Sequence, residues 1–122
     1  FAHWFFQQYR EELEHAEDMM RYVISRGGRV EIKAVDAVET SFSSALEIAE
    51  KTYAHECLVS EKIEALVRLA AEEKDMPSQD FFWKYIREQV EEEANATTLI
   101  DRIRLSEGHS LLFLDKELGE RK

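Results

Sequence analysis

Apolar positions recur at steps of three and four along most of this chain, the stride of helices that bury one face. In the first segment Phe5, Gln8, Glu12, His15, Met19 and Tyr22 form one such row, and Phe6, Tyr9, Leu13, Ala16, Met20 and Val23 form an apolar row beside it. The pattern predicts a helix from about Ala2 to Arg26, stopped at Gly27-Gly28, because glycine takes the left-handed conformation that closes a helix. Residues 29–43 hold no period. Val30-Glu-Ile-Lys-Ala-Val35 has the composition of a short strand but no partner to pair with, so the stretch reads as an extended connection crossing the length of a bundle. A second helix is expected from Ser44, where Ser44-x-x-Glu47 makes a capping box, to about Lys74, with Asp75-Met-Pro77 as the break. Its inward row is Phe42, Leu46, Ala49, Tyr53, Glu56, Ser60, Ile63, Val67 and Ala70. Ser78 is expected to cap a third helix running to about Ser106 and ending near Gly108, with Phe82, Tyr85, Gln89, Glu92, Ala96, Leu99 and Ile103 in its row. Ser110 to Leu118 reads as a short amphipathic fourth piece closed by Gly119. No internal repeat interrupts this all-α pattern.

Each predicted long helix carries carboxylate near its middle, on the face that should be dry: Glu12 with His15 one turn on, Glu56, and Glu92 with Gln89. Burying an unpaired carboxylate is costly, so a compensating charge is expected. A metal ion suits, because Glu-x-x-His offers one oxygen and one nitrogen ligand to a single point. Helices of about 25–30 residues span roughly 40 Å, so three mid-helix acids at comparable heights are expected to converge. Each piece also has a plainer reading. Glu12 and His15 read equally as a solvent-facing pair, Glu56 as a polar residue at a seam edge, and Glu88-Gln-Val-Glu-Glu-Glu93 as a solvated acidic face. Glu88 and Glu92 lie one turn apart, a spacing at which like charges oppose a helix unless a cation separates them. His3, His55 and His109 read as structural or exposed, and Met19, Met20, Trp4 and Trp83 as core or interface packing.

Composition narrows the options. The 122 residues suffice for one domain with a core, and 34% charged residues with one Pro and four Gly is the profile of long helices and few turns. A formal net charge of -10 argues against nucleic acid as partner, and no apolar run approaches a membrane span. The single Cys57 rules out an internal disulfide, fits a reducing, cytoplasmic setting, and reads as a small packing residue. The chain opens on Phe1-Ala-His-Trp-Phe-Phe, already in helical stride with no cap ahead of it, so a sequence that has lost its beginning is expected.

Arg10-Glu-Glu-Leu-Glu-His15, Tyr53-Ala-His-Glu56, Glu88-Gln-Val-Glu-Glu-Glu93 and Leu112-Phe-Leu-Asp-Lys-Glu-Leu118 resemble, in order and spacing, the landmarks of prokaryotic non-haem ferritins. The resemblance covers essentially the whole chain. It implies a ferritin-like four-helix bundle with a long crossover and a short C-terminal fifth helix, here without the first helix: residues 1–122 as one N-terminally incomplete domain of three long helices plus one short. It also implies a homo-oligomeric 24-subunit shell that oxidises Fe(II) with O₂ and stores the ferric mineral inside. By position, Glu12 would bridge two irons and His15 would bind the first; Glu56 and Glu92 would hold the second, with Gln89 as a polar neighbour. Glu11, Glu88 and Glu91 match the acidic ligands of a third iron. Ligation needs a neutral His15, so acidification is expected to weaken it. Asn95 stands where a second Glu-x-x-His would place its histidine, which argues against bacterioferritin and rubrerythrin, and Leu13 replaces a haem-binding methionine, so no haem is expected. Lys84 falls where many relatives have Trp. The family's first helix supplies one more glutamate to the first iron, so the resemblance implies that without it the first iron site is incomplete and an apolar groove lies open. A non-catalytic ferritin-like subunit and a helical interaction module are therefore the alternative readings.

Overall fold

The computed structural model describes residues 2–106 and 116–120. Three long helices make up most of it: α1, Ala2–Ser25; α2, Ala45–Glu72; and α3, Met76–Leu105. Residues 116–119 form a short helical turn, and no strand occurs among the described residues. The expected end near Gly108, the placement of His109 and most of the Ser110–Leu118 piece lie outside the described residues. The chain divides into two compact units, one comprising Phe1–Thr40 with Ser110–Lys122 and the other Ser41–His109.

In the first unit, α1 closes where the two glycines stand. The Gly28 N–H donates to the Val23 carbonyl at 2.9 Å and the Gly27 N–H to the Ile24 carbonyl at 3.0 Å, while Gly27 adopts φ 78°. These are the two bonds of a Schellman ending, which satisfies carbonyls the helix itself leaves unpaired. Beyond it, residues 29–42 have no regular structure, in keeping with their missing period. Along α1, Trp4 and Gln8 are buried, and Phe5, Gln7, Glu11, His15, Asp18, Met19, Met20 and Tyr22 are half-buried. The expected row is kept at Phe5, Gln8, His15, Met19 and Tyr22 and is widened by the buried Trp4, whereas Glu12 is exposed. Within the adjacent apolar row, Phe6 is 52% exposed, Tyr9 59% and Leu13 44%.

The second unit is an antiparallel hairpin, α2 packed against α3 across a three-residue turn. Its start carries the expected capping serine, with a change of partner. Ser44 Oγ accepts from the Glu47 N–H at 3.1 Å, but Glu47 reaches past Ser44 to the backbone N–H of Ser43 and accepts from the Ser43 hydroxyl at 2.7 Å. Those bonds, together with Lys51, pull the Glu47 carboxyl down to about 2.

The turn corrects the reading of Ser78 as a cap. Asp75 is the N-cap of α3: its Oδ1 accepts from the Ser78 N–H at 3.2 Å and its carboxylate from the Ser78 hydroxyl. Pro77 sits inside the first turn, where its missing N–H would have had no helical partner and its fixed φ suits the helix, so it begins α3 and does not break the chain before it. Asp75 also closes α2, its N–H donating to the Ala70 carbonyl at 2.9 Å while the Lys74 N–H donates to Ala71 at 3.1 Å. This second Schellman ending places Lys74 at φ 56°, a left-handed conformation held by a residue with a Cβ.

Between the helices the expected rows are the ones buried. Ala49, Glu56, Ile63 and Ala70 of α2 are buried, as are Tyr85, Gln89, Glu92, Ala96, Leu99 and Ile103 of α3. Phe42 and Tyr53 lie at the exposed margin of the α2 row, and Arg104 ties to Glu50 across the pair at 3.1 Å.

Candidate metal centre

Four polar side chains interrupt the otherwise apolar buried set of the described residues: Gln8 on α1, Glu56 on α2, and Gln89 and Glu92 on α3. The last three belong to the hairpin unit and are 5%, 6% and 5% exposed for Glu56, Gln89 and Glu92. Their helices give them no choice, since each occupies an apolar step of its row. Gln89 Nε2 donates to Glu56 Oε2 at 3.1 Å, to the Glu56 backbone carbonyl at 3.1 Å and to Ser60 Oγ at 3.3 Å. Ser60 in turn donates its hydroxyl to Glu93 Oε1 at 2.6 Å. A cavity of about 90 Å³ opens on this cluster, lined by Ser60, Glu64, Ile86, Gln89, Val90 and Glu93. On the adjoining face of α2 the half-buried Cys57 hydrogen-bonds Tyr53 and pushes its phenol above the ordinary value of 10, with Glu93 adding to the effect.

On α1, Glu12 accepts from Gln8 Nε2 at 3.3 Å and lies 3.6 Å from His15 Nδ1. Both partners are one turn away on its own helix, which holds the carboxylate along the helix surface, and its side chain is 45% exposed while that of His15 is 18% exposed. Glu11 and Glu88 are half-buried and Glu91 is exposed. Among the described residues no three His, Cys, Asp or Glu side chains close into a group that could hold a metal ion. Within each unit the pairings are local: Glu12 with Gln8 and His15 of its own helix, and Glu56 with Gln89 of α3. His3 and His55 are exposed, Trp4 is core, and Trp83 is 47% exposed.

Hard anionic oxygen with one imidazole is a donor chemistry suited to iron-type cations. Ser60 and Glu93 escaped the sequence reading as members of the cluster. The available signal was a hydroxyl one turn after Glu56 in an apolar row, and an acid one turn after Gln89.

Comparison with known proteins bears on this arrangement. The ferritin-like domain model matches residues 1–106. The chain is 44% identical over 121 residues to a bacterial non-heme ferritin of Bacteroides fragilis, covering 99% of this chain and 76% of that protein. It is 36% identical over 123 residues to a bacterial non-heme ferritin of Staphylococcus aureus, covering 74% of it. Among solved structures, an open pore ferritin from the hyperthermophilic archaeon Archaeoglobus fulgidus superposes with a TM-score of 0.95 at 41% identity, over 99% of this chain and 76% of that one. No helix among the described residues is long and apolar enough to cross a membrane. Fold and sequence thus agree, and the chain belongs to the ferritin family, among its prokaryotic non-haem members.

Proposed function

We propose that this chain serves iron storage, oxidising Fe(II) with O₂ and passing the ferric product to a mineral held inside a homo-oligomeric shell. The observation that carries the reading is the placement of Glu56, Gln89 and Glu92 in the buried rows of α2 and α3. Carboxylates there are unfavourable for stability alone and are explained by a cation that they receive. Iron is the substrate and cargo. Its ligands in this reading are Glu12, His15, Glu56 and Glu92, with Gln89 as polar neighbour and Glu11, Glu88 and Glu91 serving a third iron. Each Fe(II) gives one electron to O₂, and anionic oxygen ligands favour the more highly charged ferric product. Ligation dominated by carboxylate, with a single imidazole, leaves the product labile enough to move on.

Aerobic Fe(II) addition, followed by the ultraviolet absorption of ferric oxo species, tests this. Glu56→Ala and Glu12→Ala are expected to lose most of the rate; oxidation unchanged by Glu12→Ala refutes the assignment of α1. Size-exclusion chromatography tests the shell, which a monodisperse monomer contradicts. A second reading, a non-catalytic ferritin-like subunit, is favoured by the half-exposed Glu12. It predicts assembly without Fe(II) oxidation above that of buffer.

A further inference from the structure

The Gln89 amide is held by a chain of hydrogen bonds whose direction is set at its far end. Ser60 has one hydroxyl proton, and at 2.6 Å from Glu93 Oε1 that proton belongs to the carboxylate, an acceptor only. Toward Gln89 the serine oxygen can then only accept. The amide must present its NH₂ group to Ser60, at 3.3 Å, and the same group meets Glu56 Oε2 and the Glu56 carbonyl at 3.1 Å. A Gln89 amide turned the other way would set its carbonyl oxygen against the Glu56 carboxylate and repel it. We propose that Ser60, locked by Glu93, is a positioning residue that together with the Glu56 carbonyl fixes the Gln89 amide as a donor and thereby holds the Glu56 carboxylate in the orientation that receives metal.

The inference rests on the iron-ligand reading of Glu56. All four residues lie in the hairpin unit, and three polar contacts converge on one amide group. Groups that orient metal ligands in this way commonly change metal affinity by about 10–100-fold when removed. Ser60 borders the cavity of about 90 Å³, which has room for water. A truncation to alanine would admit a water to replace the hydroxyl, so the informative pair is Ser60→Val and Ser60→Thr, which match in volume and branching and differ only in the hydroxyl.

The test is anaerobic Co(II) titration of the full chain, read from the visible absorption of the bound ion, with Glu56→Ala measured alongside. Ser60→Val is expected to weaken Co(II) binding at the Glu56 site about tenfold, and Ser60→Thr to restore it to within about threefold of the unsubstituted chain. Glu93→Ala, which leaves the serine but frees its proton, is expected to weaken binding as Ser60→Val does, whereas Glu93→Gln keeps an acceptor and is expected to bind normally. These half-exposed Glu93 variants carry the test if Ser60→Val does not fold. Equal affinity of Ser60→Val and Ser60→Thr, or unweakened binding by Glu93→Ala, overturns the proposal. Glu56→Ala binding Co(II) like the unsubstituted chain overturns the ligand reading itself, a result separable from the other two.

Discussion

Replacing Glu56 with leucine separates what the residue does for the fold from what it does for iron. The carboxylate is 5% exposed, and moving an ionised carboxylate out of water costs several kcal/mol even after relaxation. Its partner Gln89 is neutral and is not orphaned by the change: Nε2 retains the backbone carbonyl of residue 56 at 3.1 Å and Ser60 Oγ at 3.3 Å. The hairpin then buries one carboxyl, Glu92, where it had buried two; replacing buried ionic groups by apolar side chains of similar volume stabilises by about 1–4 kcal/mol. Taking about 2 kcal/mol, and about 4 °C per kcal/mol for a chain of this size, Glu56→Leu is expected to raise Tm by roughly 8 °C in chelator-treated protein. The same variant is expected to lose Fe(II) oxidation. Thermal and urea unfolding under chelation, paired with aerobic iron oxidation, measure both halves. A Tm lowered by a comparable amount would show that the buried carboxylate is favourably compensated without metal, and would refute the reasoning.

Further expectations follow from the helix ends and the core. Leu99, 2% exposed on α3, is expected to cost about 3 kcal/mol when cut to alanine, seen as a lower urea midpoint at unchanged slope. Lys74→Gly should raise stability by about 1 kcal/mol, seen as a higher urea midpoint, because glycine accepts φ 56° without a Cβ clash; a lowered midpoint would show that the lysine is not strained there. Glu47 titrates at about 2 in the folded chain against an ordinary 4.5, so its stabilisation of the α2 start is fully present well above pH 4.5 and is lost as the pH falls toward 2. Glu47→Gln should therefore flatten the acid dependence of stability across that window, which unfolding curves at successive pH values will show.

The three long helices and most of the faces they bury were legible in the order of residues, because a helix turns by a constant angle and the buried rows of α2 and α3 repeat over about five to six turns. Gly27-Gly28 and Ser44 announced two ends through backbone chemistry that is local to each. The buried polar residues were legible for the same reason: Glu56, Gln89 and Glu92 occupy positions that periodicity alone assigns to the inside. On α1 the expected row keeps Phe5, Gln8, His15, Met19 and Tyr22, but Trp4 and Glu11 join it and Glu12 stays outside, because two apolar rows lie side by side and the pattern does not choose between neighbouring rotations. Ser78 was read as a cap because proline was taken as a barrier; the backbone shows Pro77 inside the first turn and Asp75 serving both helices.

Period and composition sufficed to settle which segments are helical and which side of α2 and α3 is dry, since both follow from spacing within one segment. Tertiary structure alone decided that Gln89 donates to Glu56, that Ser60 and Glu93 stand behind it, and that Arg104 reaches Glu50. Those pairings depend on the register between two antiparallel helices, and register is set by how side chains of both interlock, a property that neither segment carries by itself.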